Sequence, residues 1–335
     1  MFGFHVAKSS LIRNAVFKSL YEAIDDAKKD LDVTAVQIFT HGPRGIKRNH
    51  FDSEKIKKLC EENKIDLHIH GSYTTKILQP MEIALMPNAP ENKKVDAEID
   101  YMVDAYQSAI DLGAKSIVFH IPKETKENIG RAFGTISNTI IQKFKKQPLP
   151  MFLFEIRAMK PTKNLTYESA DAMNLLCKEI NKNSKSIPWG ICIDTSHQWA
   201  GGIDMRKDWD KWLDQLNDFT RSKIAMFHLN GNNIKHFGTG KDVHEIVMSP
   251  DDDIWKSLIS DETREFLKRE HINIIRKRQN LYTMLSEADI SSITNSSLGS
   301  LLKFAKNGNI PIICEIKRGE YIYTRLLMDV LRVLA

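Results

Sequence analysis

Gly190–His197 reads G-I-C-I-D-T-S-H. A short apolar run ends at a carboxylate, and a histidine follows three residues later. Apolar runs of this length without alternation are what strands covered on both faces require. The same construction recurs at Phe2–His5, Asp66–His70, Ser116–His120, Met151–Glu155, Lys223–His228 and Pro311–Glu315, each closed by a histidine or a carboxylate. With 11 His and 43 Asp plus Glu among 335 residues, chance would close a given run this way about one time in six. The repetition is therefore a pattern. Stretches with helical spacing lie between most of the runs. Parallel strands alternating with helices, with polar groups at the carboxyl ends, describe an α/β chain folded as a (β/α)8 TIM barrel with its site at one mouth.

Length and composition agree. One such barrel takes about 250 residues, and more with insertions, so 335 residues suit a single domain over 1–335 with long loops. The hydrophobic fraction of 42% and charged fraction of 27% are those of a globular enzyme. No apolar run approaches the ~20 residues of a membrane span, and M-F-G-F-H-V-A-K-S-S lacks the layout of a signal peptide. The expected setting is intracellular, cytoplasm or nucleus, away from membranes, and the expected state is a monomer. Cys60, Cys177, Cys192 and Cys314 are scattered and read as buried free thiols. The net charge of +5 is concentrated in two groups. Arg44, Lys47 and Arg48 follow the second strand. Lys268, Arg269, Arg276, Lys277 and Arg278 lie late in the chain. Cations beside a metal site suit a polyanion such as nucleic acid; for the late group, solvated helix faces are the alternative.

Helical periodicity places a first helix after possible caps at Ser9 and Ser10, through Ile12, Val16, Leu20, Ile24 and Ala27. Strand 2 is Thr34–Phe39, followed by a helix over Ser53–Glu62. An irregular stretch from Gly71 to about Asn92 carries Pro80, Pro87 and Pro90. Later helices are expected from about Val95 to Gly113, over Glu127–Lys146, Glu168–Asn181 and Asp208–Phe219. A helical insertion, approximately 260–307, separates strands 7 and 8 without a core of its own.

Side chains alternate along a strand, so each strand-end group shares a face with the residue two before it. Those partners are Gly3, His68, Val118, Leu153, Cys192, Met226 and Ile313, mostly the apolar filling of a packed barrel. The mouth then collects His5, His70, His120, Glu155, Asp194, His228 and Glu315. Four imidazoles and three carboxylates make a metal site, with zinc the first choice and manganese or iron the alternatives. Asp194-Thr195-Ser196-His197 and Asp242-Val243-His244 add His197, Asp242 and His244, enough for a further metal. His68 reads as a core histidine, His41, His50 and His271 as surface residues, and His236 as lying outside the site. Trp199 either covers the metals or packs.

The chain here resembles the endonuclease IV family of zinc-dependent apurinic/apyrimidinic endonucleases, from about Phe2 to Glu315. The matching motifs are G-F-H-V, H-G-S-Y, V-F-H-I-P, Glu155, C-I-D-T-S-H, F-H-L-N, F-G-T-G-K-D-V-H and I-C-E. The resemblance implies three zinc ions: one on His70, His120 and Glu155, a second on Glu155, Asp194, His228 and Glu315, a third on His197, Asp242 and His244. It implies cleavage of double-stranded DNA on the 5′ side of an abasic site, as in base excision repair, leaving 3′-hydroxyl and 5′-deoxyribose phosphate, with Glu155 catalytic. Arg44 and Tyr73 match residues that probe the duplex; His5 is a structural or DNA-side residue. The chain departs from the family pattern at Thr74, at Ile156-Arg157, at Gly231, and in lacking a Gly-rich segment after His244. These positions lie outside the metal ligands, in the probing loops and in residues that back the ligands. The rival readings are a divalent-metal sugar isomerase or epimerase on the same barrel and a DNA-binding protein without catalysis.

Overall fold

The computed structural model describes residues 1–7, 16–45, 47–73, 92–161, 169–184, 187–277, 279–315 and 321–335. In chain order the elements are β1 Phe2–His5, α1 Leu20–Leu31, β2 Ala35–Phe39, α2 Ser53–Glu62, β3 Asp66–His70, α3 Asn92–Leu112, β4 Ser116–His120, α4 Lys126–Lys143, β5 Met151–Glu155 and α5 Ala170–Asn183. Then come β6 Trp189–Asp194, α6 Thr195–Ala200, α7 Trp209–Gln215, α8 Asp218–Ser222, β7 Ile224–His228, α9 Asp261–Lys277, α10 Glu287–Thr294, α11 Ser297–Gly308, β8 Ile312–Cys314 and α12 Tyr321–Leu334. The eight strands pair in sequence order, all parallel, and β1 pairs with β8 to close the barrel. The (β/α)8 reading holds.

The barrel interior follows from alternation. Ala35, Val118, Leu153, Cys192, Met226 and Ile313, all at most 1% exposed, form one inner cluster. Five of them are the expected partners of strand-end groups; the sixth, Ala35, comes from β2. Gly3 stands beside them because a Cβ there would lie 1.6 Å from the Ala35 carbonyl oxygen. The opposite strand faces (Phe4, Val36, Ile69, Phe119, Phe154, Ile193 and Phe227) meet the helices in the larger apolar layer. Each fully buried side chain of this size contributes about 1.5–3 kcal/mol.

Two expectations about helices change, and two helices are added. The helix that carries Leu20, Ile24 and Ala27 begins at Leu20, and Val16 lies outside it. Ser19 is its cap, with Oγ accepting from Glu22 N at 3.2 Å. S-L-Y-E is a capping-box spacing, and it outranks the looser periodicity before it. Val16 is 76% exposed, and Ser9, Ser10 and Ile12 lie outside the described residues, as do Pro80, Pro87, Pro90 and Arg278. The helix expected over Asp208–Phe219 is two, α7 and α8, because Asn217 turns to cap α8 and accepts from Thr220 N at 2.8 Å. After β6 stands a short helix, α6, that periodicity does not announce. The chain also closes on α12, whose Ile322, Leu326 and Val330 are buried at four-residue spacing.

Between β7 and β8, α9, α10 and α11 lay Leu267, Ile293, Leu298, Leu301 and Leu302 into the same apolar layer as the barrel helices. Buried carboxylates fasten this stretch. Asp289 accepts from Ser260 N at 2.7 Å and Ser286 Oγ at 2.8 Å. Asp329, on α12, accepts from Leu281 N at 2.8 Å and pairs with Arg325 and Arg332. All four cysteines are buried and free.

Candidate metal centre

The carboxyl ends of the strands converge on Glu155, whose side chain is fully buried. Its Oε2 lies 3.0 Å from His70 Nε2 and 3.0 Å from His120 Nε2. Its Oε1 lies 2.9 Å from His228 Nδ1 and 3.5 Å from His197 Nδ1. Glu315, one residue past β8, sets Oε2 3.4 Å from His228 Nδ1. Asp194 Oδ2 stands 3.9 Å from His228 Nδ1 and 3.6 Å from His244 Nε2. At the outer end Asp242 Oδ1 reaches His244 Nε2 at 2.9 Å and His197 Nε2 at 3.4 Å. The nine residues expected as ligands are thus all in one cup.

Within it, ligand atoms fall within 4.8 Å of one another in four overlapping groups: His70, His120 and Glu155; Glu155, Asp194, His228 and Glu315; Asp194, His197 and His244; and His70, His228 and Glu315, which matches no expected set. The first two are the sets expected. In the third, Asp194 stands where Asp242 was expected, and Asp242 approaches the two imidazoles from the half-exposed rim.

The orientation of the imidazoles tests whether cations fit. His70 Nδ1 lies 2.7 Å from the Gly71 carbonyl, His197 Nδ1 2.7 Å from that of Ile156, and His244 Nδ1 3.2 Å from that of Glu315. A carbonyl can only accept, so each Nδ1 carries the proton. In the neutral ring Nε2 then turns a lone pair toward carboxylate oxygens. Nε2 of His197 and of His244 are buried and face Asp242 Oδ1 at 3.4 and 2.9 Å without good hydrogen-bond geometry. Lone pairs facing carboxylates in a buried cup repel unless a positive charge lies between them. The donor set, nitrogen and oxygen without thiolate, suits zinc, manganese or iron.

The electrostatics point the same way. Burial raises the pKa of Glu155, but His120 and His228 outweigh it and hold the carboxyl well below its usual range. Burial is likewise overcome at Glu315, chiefly by His228. Against the pull of burial, Asp194 and Asp242 push His197 up to about 10 and His244 up to about 9. The corner calls for positive charge, and protons supply it where no cation does.

The groups that support the ligands carry no clear signal in the sequence. Gln37 is fully buried; its Nε2 donates to Glu315 Oε1 at 3.2 Å and its Oε1 lies 2.9 Å from His228 Nε2. Strand 2 does not end in a ligand type, so nothing in its sequence marks it. The pairing Gly3↔Ala35 and His5↔Gln37 puts Gln37 on the inward line. Asn230 Nδ2 donates to Asp194 Oδ2 at 2.8 Å, and its Oδ1 accepts from Glu315 N at 2.8 Å. Ser196 Oγ donates to the Val243 carbonyl at 2.6 Å, beside His244. Asp252 is fully buried and accepts main-chain N–H groups of Met248 and Ile254, both at 2.9 Å, and of Asn232 and Trp255, both at 3.3 Å. A Cβ on Gly231 would lie 2.5 Å from Asp252 Cγ. Gly231 thus faces this carboxylate directly.

The remaining expectations sort as follows. His5 is largely buried, its Nδ1 3.5 Å from Glu315 Oε1 and its ring 4.4 Å from that of Phe39. Arg44 is exposed on the loop after β2. Tyr73 is 38% exposed, its ring 5.0 Å from those of His70 and His120, and its N–H donates to the Pro43 carbonyl at 2.9 Å. Thr74 lies outside the described residues. Arg48 is not free on the rim: it pairs with Asp111 at 3.0 Å. His41 is buried rather than superficial, because Asp104 at 2.8 Å and Thr40 at 2.8 Å satisfy both its nitrogens. His50 is exposed, and the side chain of His271 is outside the described residues. His68 is a core histidine with Nδ1 2.8 Å from Ser116 Oγ, and burial pushes its pKa down to about 3. Neither His68 nor His236 joins a metal group among the described residues. Trp199 packs: it is fully buried, and its Nε1 donates to the Asn233 carbonyl at 3.1 Å. Among the described residues, no helix is long and apolar enough to cross a membrane.

Comparison with known proteins supplies the context. The family described as xylose isomerase-like TIM barrel matches residues 25–261, ending where α9 begins. Relatives named probable endonuclease 4 recur; one from Halothermothrix orenii is 28% identical over 236 residues, 67% of this chain and 78% of its own. Among solved structures, endonuclease IV from Thermus thermophilus superposes with a TM-score of 0.63 at 19% identity, covering 99% of this chain and 98% of that one. A D-tagatose 3-epimerase-like protein reaches 0.56 at 14% identity, covering 99% and 97%. Likeness at these identities carries the fold alone, and the same barrel serves unrelated chemistries. With the family match spanning most of its strands and the endonuclease 4 relatives sharing its sequence, this chain belongs to the xylose isomerase-like TIM barrel family and resembles its endonuclease IV members.

Proposed function

We propose that this chain is a metal-dependent hydrolase of double-stranded DNA that cuts the phosphodiester 5′ to an abasic site, leaving 3′-hydroxyl and 5′-deoxyribose phosphate. The observation that carries the reading is the continuous donor cup, in which Glu155 and Asp194 each take part in two adjoining groups. His70, His120 and Glu155 would hold one zinc, Glu155, Asp194, His228 and Glu315 a second, and His197, Asp242 and His244, aided by Asp194, a third. Bound divalent cations supply Lewis acidity toward phosphoryl oxygens and lower the pKa of water toward neutrality.

The rest falls to the chain's own groups. Glu155 turns Oε2 toward His70 and His120 and Oε1 toward His228, and would serve both adjoining groups when they are loaded. Gln37 and Asn230 hold His228, Asp194 and Glu315 in place, so no reorganisation is needed during reaction. Tyr73 closes the cup over His70 and His120 and offers a ring against a displaced nucleotide, with Arg44 beside it on the β2 loop and His5 behind. A nucleotide without a base has little stacking or pairing to lose on extrusion, which favours abasic sites. The 260–307 stretch is read as an insertion on a single-domain monomer.

Glu155→Gln should abolish cleavage of an oligonucleotide with one abasic site; near-normal turnover would defeat the assignment. Elemental analysis beside the cleavage assay, with and without chelator, separates the sugar isomerase reading. That reading calls for fewer metal ions and no phosphodiester cleavage, and leaves the Asp194, His197 and His244 corner without a task.

A further inference from the structure

His228 is turned the other way round from its neighbours in the cup. His70, His197 and His244 rest Nδ1 on main-chain carbonyls and aim Nε2 at carboxylates. His228 aims Nδ1 instead, 2.9 Å from Glu155 Oε1, 3.4 Å from Glu315 Oε2 and 3.9 Å from Asp194 Oδ2. Its Nε2 therefore faces away from these carboxylates and needs a partner of its own. Strand carbonyls are spent on the parallel ladder, and the inner cluster of Ala35, Val118, Leu153, Cys192, Met226 and Ile313 offers no side-chain oxygen. The partner comes from β2: Gln37 Oε1 lies 2.9 Å from His228 Nε2. The Cys192 thiol also lies against His228, but a thiol is a weak donor and a weak acceptor, and the amide oxygen outweighs it.

The two ends of an amide have the same shape, so chemistry has to orient it. Gln37 reaches Glu315 Oε1 at 3.2 Å. An ionised carboxylate can only accept, so the NH2 group of Gln37 faces Glu315 and its oxygen faces His228. The other amide hydrogen lies toward His5 Nδ1 at 3.4 Å. An amide oxygen also only accepts. His228 Nε2 therefore carries the proton, and in the neutral ring the lone pair is left on Nδ1, toward the carboxylates. The opposite tautomer would put an N–H where a cation belongs. Few side chains of this length serve both neighbours: glutamate would set a second carboxylate against Glu315, lysine offers no acceptor, and methionine neither donates nor accepts well. Barrel pairing delivers the residue, since Gln37 is level with His5 on β1 and His68 on β3 and is fully buried. We infer that Gln37 is a positioning residue: by accepting the His228 Nε2–H while donating to Glu315, it fixes the tautomer that makes Nδ1 a metal ligand and ties that ligand to Glu315. The inference rests on the metal reading above and not on the identity of the substrate.

The test uses the full chain loaded with zinc and carrying isotope-labelled histidine, read by proton–nitrogen correlation, with His228→Asn to assign the signal. The parent should show an exchange-protected proton on His228 Nε2 and a metal-bound Nδ1. Gln37→Met, close in length and volume, should remove that protection and weaken zinc binding by about 10- to 100-fold in competition with a chelator. Gln37→Glu still accepts from Nε2 and should keep the proton in place. A merely structural role would lower the melting temperature in both variants and leave the Nε2 proton and the zinc affinity of the folded protein as in the parent. That result would overturn the inference, as would a proton on Nδ1 in the zinc-loaded parent. If Gln37→Met does not fold, the parent and Gln37→Glu decide: loss of the Nε2 proton in Gln37→Glu overturns the inference, and its retention supports it. A parent that binds no zinc would overturn this inference and the metal reading together. A parent that gives the expected proton and affinity changes but leaves abasic DNA uncut would overturn the hydrolase reading alone.

Discussion

The two ends of the ligand cluster are built differently. Glu155, Asp194 and His228 each close their own strand, and their side chains are wholly buried. Asp242 and His244 hang from a loop, and Asp242 is 51% exposed. At the strand end, the barrel's own ladder sets the height and direction of every ligand, and Gln37 and Asn230 only trim the geometry. At the loop end the chain must be aimed by groups brought from elsewhere. Ser196 holds the Val243 carbonyl, Glu245 and Gly231 exchange main-chain hydrogen bonds at 2.8 and 3.0 Å, and Asp252 gathers the turn behind them. A strand supplies precision through its pairing; a loop must import it.

That contrast can be broken most severely at the residue common to both ends. Asp194→Ala removes a ligand oxygen from two groups and the cap of α6, where Oδ1 accepts from His197 N at 3.0 Å. Cleavage should fall on the order of 1,000-fold, and elemental analysis should find fewer metal ions per chain. Full metal content would mean that the two ends do not share this carboxylate.

A smaller change should separate the ends. Asp252→Ala leaves several buried N–H groups unpaired and should lower stability in urea by about 2–4 kcal/mol. Its effect on metal retention should fall on the loop end, with the ions at Glu155 kept. Equal loss at both ends would show that Asp252 serves the fold at large. Asn230→Ala is the converse, acting at the strand end: metal affinity should weaken by about 10- to 100-fold with little change in melting temperature. An unaltered affinity, measured by competition with a chromogenic chelator, would mean that the strand end needs no such support.

The smallest effect concerns the buried thiols, two on barrel strands and two on the helices outside them. Burial pushes the thiols of Cys60, Cys177 and Cys192 up to about 12, so almost no thiolate exists at pH 8. The native protein should be inert to a disulfide reagent, with all four thiols titrating once guanidinium unfolds it. A fast native reaction at Cys192 would show that the cup opens further than its packing allows.

Much of this is legible in the chain alone, and what is not has identifiable reasons. The strand-end histidines and carboxylates are legible because each closes an apolar run, and the cluster Val118, Leu153, Cys192, Met226 and Ile313 is legible two residues behind them. Gln37 escapes because amides are not metal ligands and its strand ends at Phe39; only pairing with β1 shows it facing inward. Asp252 escapes because in P-D-D-D-I-W nothing distinguishes a buried carboxylate from its exposed neighbour Asp251. His41 looks superficial in the sequence because its partner Asp104 lies far along the chain, on α3. Ser19 is legible as a cap, yet the periodicity carries Val16 into a helix that starts only at Leu20.

Alternation of side chains along a strand is a local property of the polypeptide, so the order of residues was sufficient to define the barrel, its inner layer and the histidines and carboxylates at its mouth. How those groups face one another is not local. That Asp194 serves both ends and that Asp252 occupies the space a side chain at 231 would need follow from barrel closure and from hydrogen bonds between distant loops. Such distances exist only once the ring of strands is shut.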